Sequence, residues 1–194
     1  MNTANKITMS RFVLAAIFML FLIWWEKIWW TKVVSLLIFT LAALTDFLDG
    51  LIAKKRNMIT DFGKLMDPLA DKILVLGAFA AFLWMQIINV WMFMAIISRE
   101  ILITSLRFFA LTKGKVLSAN TAGKHKTVSQ MAVIFFILGF IVFQEIMKRF
   151  FIWNPNWDGL FNWSIYVLML ITVGLTLYSG FSYLWENRKI ITKL

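Results

Sequence analysis

Cysteine is absent from the 194 residues, and histidine occurs once, as His125. Disulfide frameworks, thiolate metal sites, iron–sulfur ligation and cysteine nucleophiles are thereby excluded, and one imidazole cannot build a histidine-rich metal site. Charge is scarce as well. Only 15% of the residues are charged, against 61% hydrophobic and 16% aromatic, a composition foreign to water-soluble domains. A lipid-spanning helix takes about 20 mostly apolar residues, so this length holds roughly six with short connections and no separate water-soluble catalytic domain. Acidic residues number 10 and basic residues 20, a net charge of +10. In so apolar a chain that excess suits the anionic cytoplasmic leaflet and membrane lipids as partners, not nucleic acid.

What is present is a succession of apolar runs, at about 12–25, 33–53, 65–87, 88–112, 128–152 and 160–185. They predict an all-α integral membrane protein of six transmembrane helices in a single membrane-embedded catalytic domain, 1–194. Residues 1–10 are too polar for a signal peptide and are expected as a short interfacial helix, with the first span retained. Of the two prolines, Pro155 falls in the connection before the last run and Pro68 near the start of the third, where a missing N–H is tolerated.

Lys and Arg divide unevenly between the two faces: thirteen lie before the first run, between runs two and three, between runs four and five, and at the C-terminus, against four on the other side. The positive-inside rule then puts both termini in the cytoplasm of a multi-pass cell-membrane protein. Nine of the ten tryptophans lie at or near the opposite face, as an interfacial aromatic belt requires.

Against this background Asp46, Asp49, Asp67 and Asp71 stand out at the cytoplasmic ends of the second and third runs, with Lys72, Arg99, Glu100 and Arg107 also inside runs. Each central Asp costs roughly 2.5–3.5 kcal/mol to insert. Four without compensation must face water, a metal or each other. Asp46 and Asp49 are spaced i, i+3, while Gly63, Asp67 and Asp71 are spaced i, i+4, i+8, so each set lies on one helix face. Two carboxylates from each of two antiparallel neighbours can form an oxygen-only cage of the kind hard divalent cations prefer. Four carboxylates balance two Mg²⁺, and a metal pair stabilises the attacking and leaving oxygens of phosphoryl-type transfer. Gly50 and Gly63 leave bare helix surface beside the acids, where a nucleotide or pyrophosphate can approach. Two other readings stand beside this one: structural ion pairs with Lys72 and Arg99, and the ion path of a cation- or proton-coupled transporter.

Written out, Asp46–Asp71 is D-x2-D-G-x2-A-K-x8-G-x3-D-x3-D. It resembles the signature of the CDP-alcohol phosphatidyltransferases, matching seven of its eight fixed positions and departing at Lys54, where that family carries Arg. Charge survives there, but bidentate geometry does not. Three further segments resemble the bacterial phosphatidylglycerophosphate synthase branch of the family: Asn5, Thr8 and Arg11 in N-K-I-T-M-S-R, with Ala4 in place of Pro; S-R-E-I-L-I-T-S-L-R at Ser98–Arg107; and G-K-H-K-T-V-S-Q at Gly123–Gln130.

The resemblance implies a dimeric six-helix fold that transfers the phosphatidyl group of CDP-diacylglycerol to an alcohol, releases CMP and uses Mg²⁺ or Mn²⁺ as two ions. It implies metal ligation by Asp46, Asp49, Asp67 and Asp71, with Asp71 also available as general base. CDP-diacylglycerol would be held by Asn5, Thr8, Arg11, Asp49, Gly50, Ala53, Lys54 and Gly63. The branch implies glycerol 3-phosphate as acceptor and phosphatidylglycerophosphate as product; phosphatidylglycerol, inositol phosphate and serine are alternative acceptors within the family. A phosphorylated acceptor brings about two negative charges and calls for a cation cluster. Arg107, Lys124 and Lys126 are the candidates, and Glu100 is expected to pair with Arg107. His125 is read as an ordinary loop residue.

Overall fold

The computed structural model describes residues 3–23, 28–56, 61–115, 117 and 122–192, and the side chains among them except those of residues 3–11, 46–56, 61–71 and 122. Every element among the described residues is an α-helix: α1 (Thr3–Ile23), α2 (Trp29–Arg56), α3 (Asp61–Trp84), α4 (Val90–Thr112), α5 (Ala122–Phe150) and α6 (Asn156–Ile191). The order of helices follows the order of apolar runs, but their ends do not. Hydropathy marks where lipid would be, whereas a helix continues until its backbone is capped or broken. Thus α5 begins six residues before the apolar run and takes in Lys124 and Lys126, which the sequence had placed in a loop.

The separate interfacial helix expected at residues 1–10 is likewise absorbed. From Thr3 to Ile23 the chain has neither Gly nor Pro to stop it, and α1 runs through as one helix. Pro68 is the eighth residue of α3 rather than part of its first turn, so the Lys64 carbonyl loses its helical partner there.

Two helix ends show clear stops. α3 ends at Trp84, and Gln86 takes a left-handed φ of 58°, which separates α3 from α4 where the apolar runs abut. α4 closes on Gly114 at φ 68°: the Gly114 N–H donates to the Leu111 carbonyl at 2.9 Å and the Lys115 N–H to Ala110 at 2.9 Å. This paired closure satisfies carbonyls the helix leaves open.

The chain divides into two compact units. The first comprises Met1–Met85 and Ile134–Pro155. In it α1 packs on α2 and on α3. Ala15, Phe18 and Leu22 form a buried stripe on α1 at helical spacing, and Phe39, Phe79, Phe82, Ile134, Ile137 and Leu138 are buried with them in this unit's core. Phe39 meets Phe18 with ring centroids 5.4 Å apart and Phe135 at 5.2 Å. Buried hydroxyls on α2 satisfy themselves within the helix, as where Ser35 donates to the Thr31 carbonyl at 2.8 Å.

The second unit comprises Gln86–Val133 and Asn156–Leu194. Here α4 packs on α6. Ile103, Ala110, Leu117 and Tyr183 form a buried cluster in this unit, to which Leu117 comes from the segment after α4.

Among the described residues, Gly123–Phe150 and Asn156–Ile191 are long and apolar enough to cross a membrane; Phe12–Ile23, Trp29–Thr45 and Lys72–Trp84 are shorter apolar stretches. α4 carries Arg99, Glu100 and Arg107 within its 23 residues, which breaks its apolar character.

Candidate active site

The acids of the signature occupy helices. Asp46, Asp49, Gly50, Ala53 and Lys54 lie in the C-terminal half of α2, and Gly63, Asp67 and Asp71 in the N-terminal half of α3. Helix runs unbroken through all of these positions, so the i, i+3 and i, i+4 spacings act as helix-face spacings. Asn5, Thr8 and Arg11 lie on α1. The side chains of all eleven lie outside the described residues. Among the described residues no group of three or more potential metal-ligating side chains occurs.

The second unit holds a polar network inside an apolar bundle. Its centre is Glu100 on α4, 3% exposed. The Lys126 ammonium, from α5, donates to Glu100 Oε1, and Arg99 Nη1 donates to the same oxygen at 3.1 Å. Arg99 Nη2 reaches α6, donating to Ser179 Oγ at 2.9 Å. One turn along, Gln130 Nε2 of α5 donates to Thr176 Oγ1 of α6 at 3.4 Å. Lys126, Gln130, Thr176 and Ser179 are all buried.

The backbone of α6 makes room for this. A Cβ on Gly180 would lie 3.0 Å from Arg99 Cγ, so the bare glycine is what lets the Arg99 stem lie against the helix. Thr172, Thr176, Ser179, Gly180, Tyr183 and Asn187 recur at three- and four-residue steps and are all buried, forming one polar and small-residue face on an otherwise apolar helix. Sequence reasoning passed over this face. The signal was available as polar residues at helical period inside an apolar run, the pattern that marks an interhelical face in lipid.

Arg107 lies two turns further along α4. Its Nε donates to the Tyr183 hydroxyl at 3.4 Å, and its guanidinium carbon is 5.4 Å from the centroid of the same ring. Glu100 therefore pairs with Arg99 and Lys126, and the pairing expected with Arg107 is replaced by an aromatic one. The reason is reach: seven residues of helix rise about 10 Å, whereas Lys126 and the adjacent Arg99 converge on the carboxylate directly. Lys124 is an exposed residue of the first turn of α5, and His125 beside it is also exposed. Of the three expected acceptor cations, Lys126 is buried and paired, Arg107 is exposed against Tyr183, and Lys124 is in the open.

The family model for CDP-alcohol phosphatidyltransferases matches residues 1–178. A Bacillus subtilis (strain 168) protein named CDP-diacylglycerol–glycerol-3-phosphate 3-phosphatidyltransferase is 38% identical over 143 residues, covering 69% of this chain and 74% of its own. Proteins of the same name from Rickettsia bellii (strain RML369-C) and Rickettsia typhi (strain ATCC VR-144 / Wilmington) are similar over nearly the full length. The first is 32% identical across 97% of this chain and 96% of its own, and the second 34% across 94% of each. The signature on α2 and α3, the all-helical fold and these similarities agree: the chain belongs to the CDP-alcohol phosphatidyltransferase family.

Proposed function

We propose that the chain transfers the phosphatidyl group of CDP-diacylglycerol to glycerol 3-phosphate, giving phosphatidylglycerophosphate and CMP in phospholipid biosynthesis. The observation that carries this reading is the carboxylate signature Asp46–Asp71, in a chain 31–38% identical to relatives bearing that enzyme name.

The donor set suits a hard divalent cation: oxygen ligands only, at one-turn spacing on unbroken helix. Asp46, Asp49, Asp67 and Asp71 would hold two Mg²⁺ or Mn²⁺ ions, whose chemistry is to offset charge on the attacking and leaving oxygens. Gly50, Ala53 and Gly63 give the nucleotide a surface without bulky side chains, Lys54 offers its charge to a phosphate, and Asn5, Thr8 and Arg11 contact the liponucleotide from α1. The primary hydroxyl of glycerol 3-phosphate attacks the phosphorus that carries diacylglycerol. A new O–P bond forms, the bond to CMP breaks, and Asp71 takes the hydroxyl proton. Arg107, Lys124 and Lys126 meet the acceptor phosphate, whose two negative charges call for a cluster of cations. Positioning and charge stabilisation supply most of the rate in such a reaction.

The protein is read as a multi-pass cell-membrane homodimer with both termini and the active site on the cytoplasmic side, where CMP is free to leave. Supporting the orientation are the basic residues that flank the α2–α3 and α4–α5 connections, together with the opposing tryptophans.

Purified protein given CDP-diacylglycerol, Mg²⁺ and one acceptor at a time tests the reading. Phosphatidylglycerophosphate and stoichiometric CMP are expected with glycerol 3-phosphate. Product with another alcohol alone, or no CMP with any of them, overturns it.

A further inference from the structure

We infer that Glu100 is a positioning residue for the acceptor phosphate: it fixes the Lys126 ammonium and the Arg99 guanidinium in one place before the phosphate arrives. The inference rests on the proposed transfer to glycerol 3-phosphate.

Three observations converge on it. Glu100 gathers cations from two helices onto a single oxygen, with Lys126 coming from α5 and Arg99 from its own helix. Arg99 is in turn tied to a third helix through Ser179, at a point where Gly180 supplies the clearance its stem requires. The arrangement is also poor as a device for stability. Buried ion pairs recover their desolvation cost only when fully satisfied, and Arg99 Nε is buried here with no acceptor. Replacing a buried ion pair by apolar residues of similar volume is often neutral or stabilising, so the network is explained here by what it holds in place.

The geometry has a chemical consequence. A free lysine on a flexible stem loses rotamer freedom when it binds a phosphate, and one already fixed by a carboxylate has lost it beforehand.

The experiment is steady-state kinetics with both substrates varied, on wild type, Glu100→Gln, Glu100→Asp, Ser179→Ala, Lys126→Met and the double variant Glu100→Gln/Lys126→Met, with thermal unfolding measured on each. Glu100→Gln is expected to raise the glycerol 3-phosphate KM about tenfold, with the CDP-diacylglycerol KM within about twofold of wild type. Glu100→Asp should recover part of the loss, and Ser179→Ala should raise the acceptor KM by about two- to fivefold. Because part of the effect of Glu100 runs through Lys126, the acceptor KM of the double variant should rise by less than the product of the two single effects. An unchanged acceptor KM in Glu100→Gln, or a fall in kcat that tracks lost thermal stability with both KM values intact, overturns the inference. If Glu100→Gln does not fold, an unchanged acceptor KM in both Glu100→Asp and Ser179→Ala overturns it equally. Wild type that makes no phosphatidylglycerophosphate from glycerol 3-phosphate overturns the proposed function instead.

Discussion

Arg107 is held against Tyr183 in two ways, by a 3.4 Å hydrogen bond from Nε to the phenolic oxygen and by the ring face 5.4 Å from its guanidinium carbon. Tyr183 is itself 2% exposed, so an exposed cation lies against a buried ring. Arg107→Ala is expected to raise the glycerol 3-phosphate KM by one to two orders of magnitude, the worth of a hydrogen bond to a charged group. Tyr183→Phe keeps the ring and loses the oxygen, and should raise it only about two- to fivefold. Initial rates against acceptor concentration check both.

Asp71→Asn, with folding retained, is expected to lose nearly all CMP release. The amide neither takes a proton at neutral pH nor carries the charge a divalent cation requires. The same preparation of wild type treated with EDTA should fall silent and recover with Mg²⁺ or Mn²⁺. CMP release by the variant near the wild-type rate would remove Asp71 from the reaction.

Gly77 on α3 faces Met19 on α1, where an added Cβ would lie 3.1 Å from the thioether sulfur. Met19 is only partly buried, and a thioether yields easily. Alanine also gains about 1 kcal/mol of helix propensity over glycine. Gly77→Ala should therefore leave the unfolding temperature unchanged or slightly raised, whereas Gly77→Leu should lower it by several degrees in a thermal scan in detergent.

The number and order of the helices were legible because each apolar run reports one element, and the acids because their spacing repeats the helix period. The Glu100 network was not legible. It depends on which residues of α4, α5 and α6 face one another, and a single chain states the period of each helix without stating its rotation. Lys126 shows the difficulty most plainly. By hydropathy it belongs to a basic connection; in the fold it is a helical residue at 7% exposure, because Glu100 lies opposite to receive it. Ser179 and Gly180 were hidden for a related reason. Small residues in an apolar run look like filler until a partner's side chain lies against them.

Phe39→Ala tests the packing of the first unit. The ring is fully buried between Phe18 and Phe135. In a soluble core Phe→Ala costs about 3–5 kcal/mol. Inside a bilayer the lipid tails are as apolar as the interior, so the transfer part shrinks and the lost contacts remain. A cost of about 2–3 kcal/mol is expected by reversible unfolding in mixed micelles.

The absence of cysteine makes every introduced thiol a unique reporter. Asn154→Cys, in the exposed turn between α5 and α6, should label with a membrane-impermeant maleimide on intact cells. Lys113→Cys, exposed at the end of α4, should label only after permeabilisation. The reverse pattern would invert the orientation drawn from the basic connections.

α6 has 36 residues and so rises about 54 Å, against a hydrocarbon slab of about 30 Å. Either it leans steeply or its final turns, with Glu186, Arg188 and Lys189, stand clear as a stiff post continuous with Ser179 and Tyr183. Because the helix is continuous from Ser179 to Ile191, a displacement of its final turns would be carried to the face that meets Arg99 and Arg107.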